Sequence, residues 1–262
     1  MNAPLRDAVR AEWTKLRTLP GTGWLLLGMV AATVIISATV SASLGCTSTA
    51  GCHVDVTKLS LTGTYLGQAV VAIVAVLAVS GEYSTGMIRA TLAAMPRRTT
   101  VLAAKAAVVT AVTLAAGIPA VLGSVLAGRL ILPGHGYTPA HGYPALSLGN
   151  GPVLRAAVGT VLYLGLIALL SLGIAAAVRD AAVAIGAVLG LLYLFPILAQ
   201  VASAGAQQHL QQIGPMTAGL EIQASAGLRS LPISPWAGLG VLAAWAAAAL
   251  LAGGLLLRLR DA

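Results

Sequence analysis

GEYSTGMIRATLAAMPRRTTVLAAK, running from Gly81 to Lys105, is a polar, charge-bearing interruption between two long apolar runs. Its flanks are too long and too apolar for a soluble core, which points to membrane-spanning helices on either side of it. Glu82 suits a helix N-terminus and Pro96 ends a helix, which predicts a short surface helix within 82–98. On such a helix Ile88, Leu92 and Met95 share one face, while Glu82 and Arg89 lie on the other. Gly86 permits a bend or a close backbone approach. Arg97 and Arg98 are expected at lipid headgroups, and Lys105 can snorkel from the base of the next apolar run.

Outward from this stretch, the 262 residues are 58% hydrophobic and 8% charged, with a mean hydropathy of +0.92. A soluble domain carries about 25% charged residues, so a soluble enzyme is excluded. The net charge of +8 does not mark a nucleic-acid binder: aromatics make up 4% of residues, and the basic residues sit at the ends of apolar runs.

A bilayer core takes about 20 helical residues per crossing. Six spans are expected, at 24–44, 62–80, 104–127, 156–178, 181–203 and 237–257. Their apolar interiors lack Asp, Glu, Lys and Arg, Lys105 standing at the base of the third. The fold class is therefore an all-α polytopic membrane protein, a single permease-like domain over 1–262. The first apolar run is too long for a cleaved leader and reads as an anchor. With the N-terminus inside, Arg6, Arg10, Lys15, Arg17, Arg89, Arg97, Arg98, Lys105, Arg179, Arg258 and Arg260 are cytoplasmic. Only Lys58, Arg129, Arg155 and Arg229 are outside, a division of the fifteen basic residues that puts both termini in the cytoplasm.

Residues 1–20 read as an interfacial amphipathic helix, with Leu5, Val9, Trp13 and Leu16 on one arc beside Arg6, Arg10 and Arg17. Pro20 and Gly21 then turn the chain into the membrane. The first outer loop holds the two cysteines, Cys46 and Cys52. A disulfide between them suits an oxidising face, free thiols are the alternative, and a metal site with His53 lacks a fourth ligand. His135 and His141 stand on a Gly/Pro-rich loop without accompanying carboxylates, which reads as solvated loop. Pro119 and Pro196 are expected kinks within spans. Arg179 and Asp180 make a tight inner turn, and Ala182, Gly186 and Gly190 form a small-residue ridge suited to close helix packing. The stretch 204–235 is a candidate outer re-entrant segment, broken at Gly214–Pro215 and Pro232.

No catalytic motif is present: no HExxH, no paired membrane carboxylates, no Cys–His pair on one face. No glycine precedes a lysine, so no phosphate-binding Walker A loop exists and the chain is not itself an ATPase. No ionisable residue stands inside a span, as an ion-driven carrier would require. What remains is a transmembrane body with a polar docking segment.

The order E-x-x-x-G-M-x-x-x-x-L-x-x-x-P-R-R, carried by Glu82, Gly86, Met87, Leu92, Pro96, Arg97 and Arg98, resembles the first inner loop of ABC-2-type exporter permeases. EWTKLR, from Glu12 through Trp13 and Lys15 to Arg17, resembles the interfacial helix of that family. SPWAGLGVLAAWAAAALLAGGLLLRLRDA at the C-terminus resembles the last span of its actinobacterial members. The resemblance implies a permease subunit in a bacterial plasma membrane, paired with a second copy or a sister permease and with two copies of an ABC ATPase. ATP and Mg²⁺ would be bound by that ATPase and no cofactor by this chain. Glu82, Tyr83, Gly86, Met87, Arg89, Leu92, Pro96, Arg97 and Arg98 would form the coupling surface. The alternatives are a membrane-embedded lipid-modifying enzyme using His135 and His141, and an ion-driven secondary carrier.

Overall fold

In hydrocarbon every backbone N–H and C=O must be satisfied within its own segment, so each apolar run closes into a helix. The computed structural model describes residues 3–18, 20–46, 54–84 and 98–259. Helix α1 (Ala3–Thr18) is followed by α2 (Pro20–Ser43), a short α3 (Val56–Ser60), α4 (Thr64–Ser84) and α5 (Arg98–Ile131). Then come α6 (Gly151–Val178), α7 (Ala181–Val201), α8 (Ala204–Ile213), α9 (Pro215–Leu220) and α10 (Pro235–Leu259). Among the described residues there is no strand, and six helices (α2, α4, α5, α6, α7 and α10) are long and apolar enough to cross a membrane. The architecture is that of an all-α multi-pass membrane protein.

Helix α6 is the axis of the bundle. Its Tyr163, Leu164, Ile167, Leu170 and Leu172 are fully buried against Val71, Ala72, Ala75 and Val76 of α4 and Leu242 and Ala246 of α10. Lipid tails are as apolar as leucine, so what holds such helices together is close packing. At Gly173 a Cβ would stand 2.5 Å from the Ala249 carbonyl carbon, and at Gly253 one would stand 2.6 Å from the Gly173 oxygen. Only glycine allows α6 and α10 to approach this far.

The helix boundaries differ from those expected where polar residues mark the edge of an apolar run. The second span begins at Thr64 and runs on to Ser84, so Glu82 lies in its last turn and does not open a separate helix. Apolar contact and ion pairing carry the α-helix past the hydropathy edge at residue 80. Helix α5 has 34 residues, about 51 Å at 1.5 Å per residue, and so outreaches a hydrocarbon core of about 30 Å. Lys105 and Arg129 lie within its two ends. Pro119 and Pro196 are both contained in continuous helices.

Between α6 and α7 the chain reverses in two residues. Arg179 takes the left-handed conformation at φ 67°, and Asp180 caps α7 by accepting a 2.8 Å hydrogen bond from Val183 N. Between α7 and α10, Gly214–Pro215 separates α8 from α9, because proline cannot continue the preceding hydrogen-bond ladder. Met216, Ala218, Leu220 and Ile222 are buried, and a Cβ at Gly238 would stand 2.1 Å from the Ala218 oxygen. This segment is thus an integral cap on one end of the bundle.

Candidate functional site: an ion quartet joining helices α1, α4 and α5

The stem of the polar stretch is held by four charges. Glu12 comes from α1, Lys15 from the next turn of the same helix, Glu82 from the last turn of α4 and Lys105 from the second turn of α5. Lys15 Nζ lies 2.9 Å from Glu12 Oε1 and 2.6 Å from Glu82 Oε1. Lys105 Nζ lies 2.6 Å from Glu12 Oε2 and 3.1 Å from Glu82 Oε1, and donates to the Ala78 carbonyl at 3.0 Å. Glu12 is 2% exposed, Lys105 5% and Glu82 7%.

The charges sum to zero, which lets them be buried together. A carboxylate at the C-terminal end of α4 is disfavoured by the helix dipole, as is an ammonium near the N-terminus of α5. Each offsets the other, and Lys105 also satisfies a carbonyl of α4. Lys15 is the most exposed of the four. Burial opposes its charge, but hydrogen bonds and Coulomb attraction from Glu82 and Glu12 outweigh that and raise its pKa above the usual 10.5. Removing one partner from such a buried set costs about 3–5 kcal/mol, because the charge left behind is uncompensated.

Two expectations are corrected here. Lys105 does not snorkel to the headgroups; it points inward, since two carboxylates offer it more than the interface does. An ionisable residue does stand within a span: Glu82 lies in the last turn of α4, where shared lysines bring it beside Glu12 of α1. Neither was legible locally, since 67 residues separate Lys15 from Glu82 and 93 separate Glu12 from Lys105. The signal available was two acids and two lysines at the edges of otherwise uncharged runs.

Tyr83 turns the other way, and the Arg179 guanidinium lies over its ring at 5.4 Å. The end of α4 is therefore tied to α1 and α5 through residue 82, and to the α6–α7 turn through residue 83. Gly86, Met87, Arg89, Leu92, Pro96 and Arg97 lie outside the described residues; Arg98 is the first residue of α5. On α1 the face toward the bundle is Ala8 and Glu12, while Trp13 is half exposed and Arg17 exposed. Cys46 is disulfide-bonded and buried, with its N–H on the His135 carbonyl at 2.8 Å; Cys52 lies outside the described residues. On α7, Ala182, Gly186 and Gly190 are exposed, and a Cβ on either glycine would meet nothing within 4 Å. Among the described residues the two ridge glycines pack on nothing.

The opposite end carries polar links that the sequence reading did not find. Asp55 caps α3 through Thr57 N (2.9 Å) and Lys58 N (3.2 Å). The same carboxylate accepts from Ser225 Oγ (2.7 Å), Ala226 N (2.8 Å) and Ser225 N. Lys58 pairs with Glu221 at 2.7 Å, and Arg155 donates to the Ala224 carbonyl. Deeper in, Tyr163 OH donates to Gln68 Oε1, whose amide contacts Met216 Sδ at 3.1 Å. A glutamine inside an apolar run was the available clue. A cleft of about 580 Å³ here is lined by Asp55, Lys58, His141 and Tyr143, but not by His135. Among the described residues no group of three or more metal-ligating side chains converges.

No family model matches this chain, and no curated protein matches it.

Proposed function

We propose that the chain is the permease subunit of an ATP-driven exporter, with hydrolysis supplied by separate ATPase subunits that dock on segment 82–98. The observation that carries this reading is the quartet. Glu82 opens the segment and Lys105 follows it, Glu82 paired with Lys15 and Lys105 with Glu12 of α1, and the two with each other. A docking segment mounted on stems joined in this way passes its displacement to α1, α4 and α5 together. A segment on slack stems would absorb that displacement. The sequence motif around Gly86 and Pro96 and the division of basic residues between the two ends support the same reading. On this reading segment 82–98 and both termini lie in the cytoplasm of a bacterial cell, beneath its plasma membrane. ATP and Mg²⁺ are held by two ATPase copies. The exposed Ala182–Gly186–Gly190 ridge suits a second permease copy or a sister permease.

The test is co-purification with the ATPase, followed by transport in sealed vesicles. Arg89→Glu, which lies off the quartet, is expected to leave hydrolysis running while transport falls. Wild-type transport by that variant, or no association with any ATPase, overturns the reading. A second reading has one observation in its favour: buried carboxylates on Glu12 and Glu82 beside a cavity are a feature of ion-driven carriers. It requires transport without ATPase that collapses when the ion gradient is dissipated.

A further inference from the structure

Beside the quartet, between α1, α2, α4 and α5, lies a cavity of about 460 Å³, within the range of small-molecule sites. Its walls are Leu16, Leu25, Val74 and Leu77, and one end is formed by Glu12, Lys15, Glu82 and Lys105. We propose that this cavity binds a phospholipid with a primary-ammonium head group, the ammonium on Glu82 and an acyl chain along the apolar wall.

The donors and acceptors of the quartet decide the head group. An ammonium has three N–H donors, and those of Lys105 go to Glu12 Oε2, Glu82 Oε1 and the Ala78 carbonyl. Both oxygens of Glu12 are taken, and Glu82 Oε1 accepts from both lysines. Glu82 Oε2 has no hydrogen-bond partner although it is buried. Such an orphan is costly, and native structures leave few of them. What the site lacks is a donor. A terminal phosphate or carboxylate would bring further acceptors toward Glu12 and Glu82, and a quaternary ammonium has no N–H to give. A primary ammonium supplies the donor, and the phosphate of the same lipid balances its charge, so the neutral quartet gains no net charge. The terminal torsion of glutamate is broad, so a small turn of the carboxylate, with Oε1 still between the two lysines, presents Oε2 to the cavity without moving α4.

The apolar wall decides the source. Leu25 and Leu77 line the cavity and are also part of the exposed apolar surface, which continues through Trp24 and Leu27 of α2. In a membrane that surface faces lipid, so the occupant arrives from the bilayer and not as a soluble amine. This site stands apart from the proposed ATPase partnership: a chain that binds no ATPase would still hold the lipid.

Native mass spectrometry of the full chain, released from micelles doped with phosphatidylethanolamine, phosphatidylcholine or phosphatidylglycerol of identical chains, tests the proposal. Retention of phosphatidylethanolamine is expected to exceed that of phosphatidylcholine about tenfold, the worth of one hydrogen bond to a charged group. Glu82→Gln is expected to bring the two to parity. Gly21→Leu does so by a different route, since Gly21 lines the cavity and a Cβ there meets nothing within 4 Å. Equal retention in the wild type, or preference for phosphatidylglycerol, overturns the proposal. So does a preference that survives Glu82→Gln or, where that variant does not fold, one that survives Gly21→Leu.

Discussion

Lys105 Nζ stands 2.6 Å from Glu12 Oε2, closing a contact across 93 residues between the third apolar helix and the N-terminal amphipathic one. The contact is buried on both sides, and it converts α1 from a membrane-surface accessory into part of the bundle. That pair and its two companions join α1, α4 and α5 at this end of the molecule.

Deleting charges singly and in pairs separates the worth of the quartet from the cost of breaking it. Lys105→Met leaves Glu12 and Glu82 with Lys15 alone and is expected to destabilise by about 3–5 kcal/mol. Combining it with Glu12→Gln restores a neutral Lys15–Glu82 pair and recovers most of that loss. Thermal unfolding in detergent reads both. Additive losses in the double variant would show that the two charges do not act as one set.

The raised pKa of Lys15 fixes the sign of a pH effect. A lysine whose folded pKa lies above its unfolded value contributes stability that is fully present below about pH 10.5 and lost as pH rises through the folded value. The stability difference between wild type and Lys15→Met should therefore be constant in neutral and mildly basic solution and shrink above about pH 10.5. A difference that grows there would reverse the assignment. Comparing the two proteins cancels the titration of the other lysines and tyrosines.

Two glycines in the same chain predict opposite outcomes. Gly173→Ala forces a Cβ to 2.5 Å from the Ala249 backbone and is expected to cost about 1–3 kcal/mol as α6 and α10 are pushed apart. Gly186→Ala meets nothing and should raise the stability of the single chain by up to about 1 kcal/mol through helix propensity. Gly186→Leu goes further and should weaken self-association if the ridge is a subunit interface. Unfolding curves and light scattering, run together, separate the two effects.

Asp55 holds two elements with one carboxylate, so its removal should show in two places. Asp55→Ala loses the cap of α3, worth about 1 kcal/mol, and frees the Ser225 and Ala226 amides. Hydrogen exchange around residues 224–230 is expected to rise by more than tenfold while the α6–α10 core stays protected. Unchanged exchange there would mean that Lys58–Glu221 and Arg155 hold the cap without it.

Tyr163→Phe tests the deeper link. It removes the hydroxyl that satisfies the buried Gln68 oxygen and should cost about 1–3 kcal/mol as that acceptor is left alone. Gln68→Leu in the same background should return part of the loss, because both polar partners are then gone.

Much of this molecule follows from short-range chemistry. Runs of apolar residues longer than a bilayer is thick have one stable form, and Trp24, Thr62, Ala156, Ala181 and Ala237 each mark the start of a span within five residues of the observed helix. The third helix, by contrast, begins at Arg98, six residues before the expected 104. The break at Gly214–Pro215 and the two-residue turn at Arg179–Asp180 are likewise local, set by proline's missing N–H and by a capping carboxylate. Hydropathy was therefore enough for the six long apolar helices and for the polar stretch between the second and third. Tertiary structure alone decided what the charges at the edges do. Glu82 reads locally as the start of a surface helix, yet it ends α4, because Lys15 and Lys105 arrive from 67 and 23 residues away and make that position favourable for a buried carboxylate. Hydropathy and helix propensity act over a few turns. Charge pairing acts through space, and which acid meets which lysine is fixed only once the helices have packed.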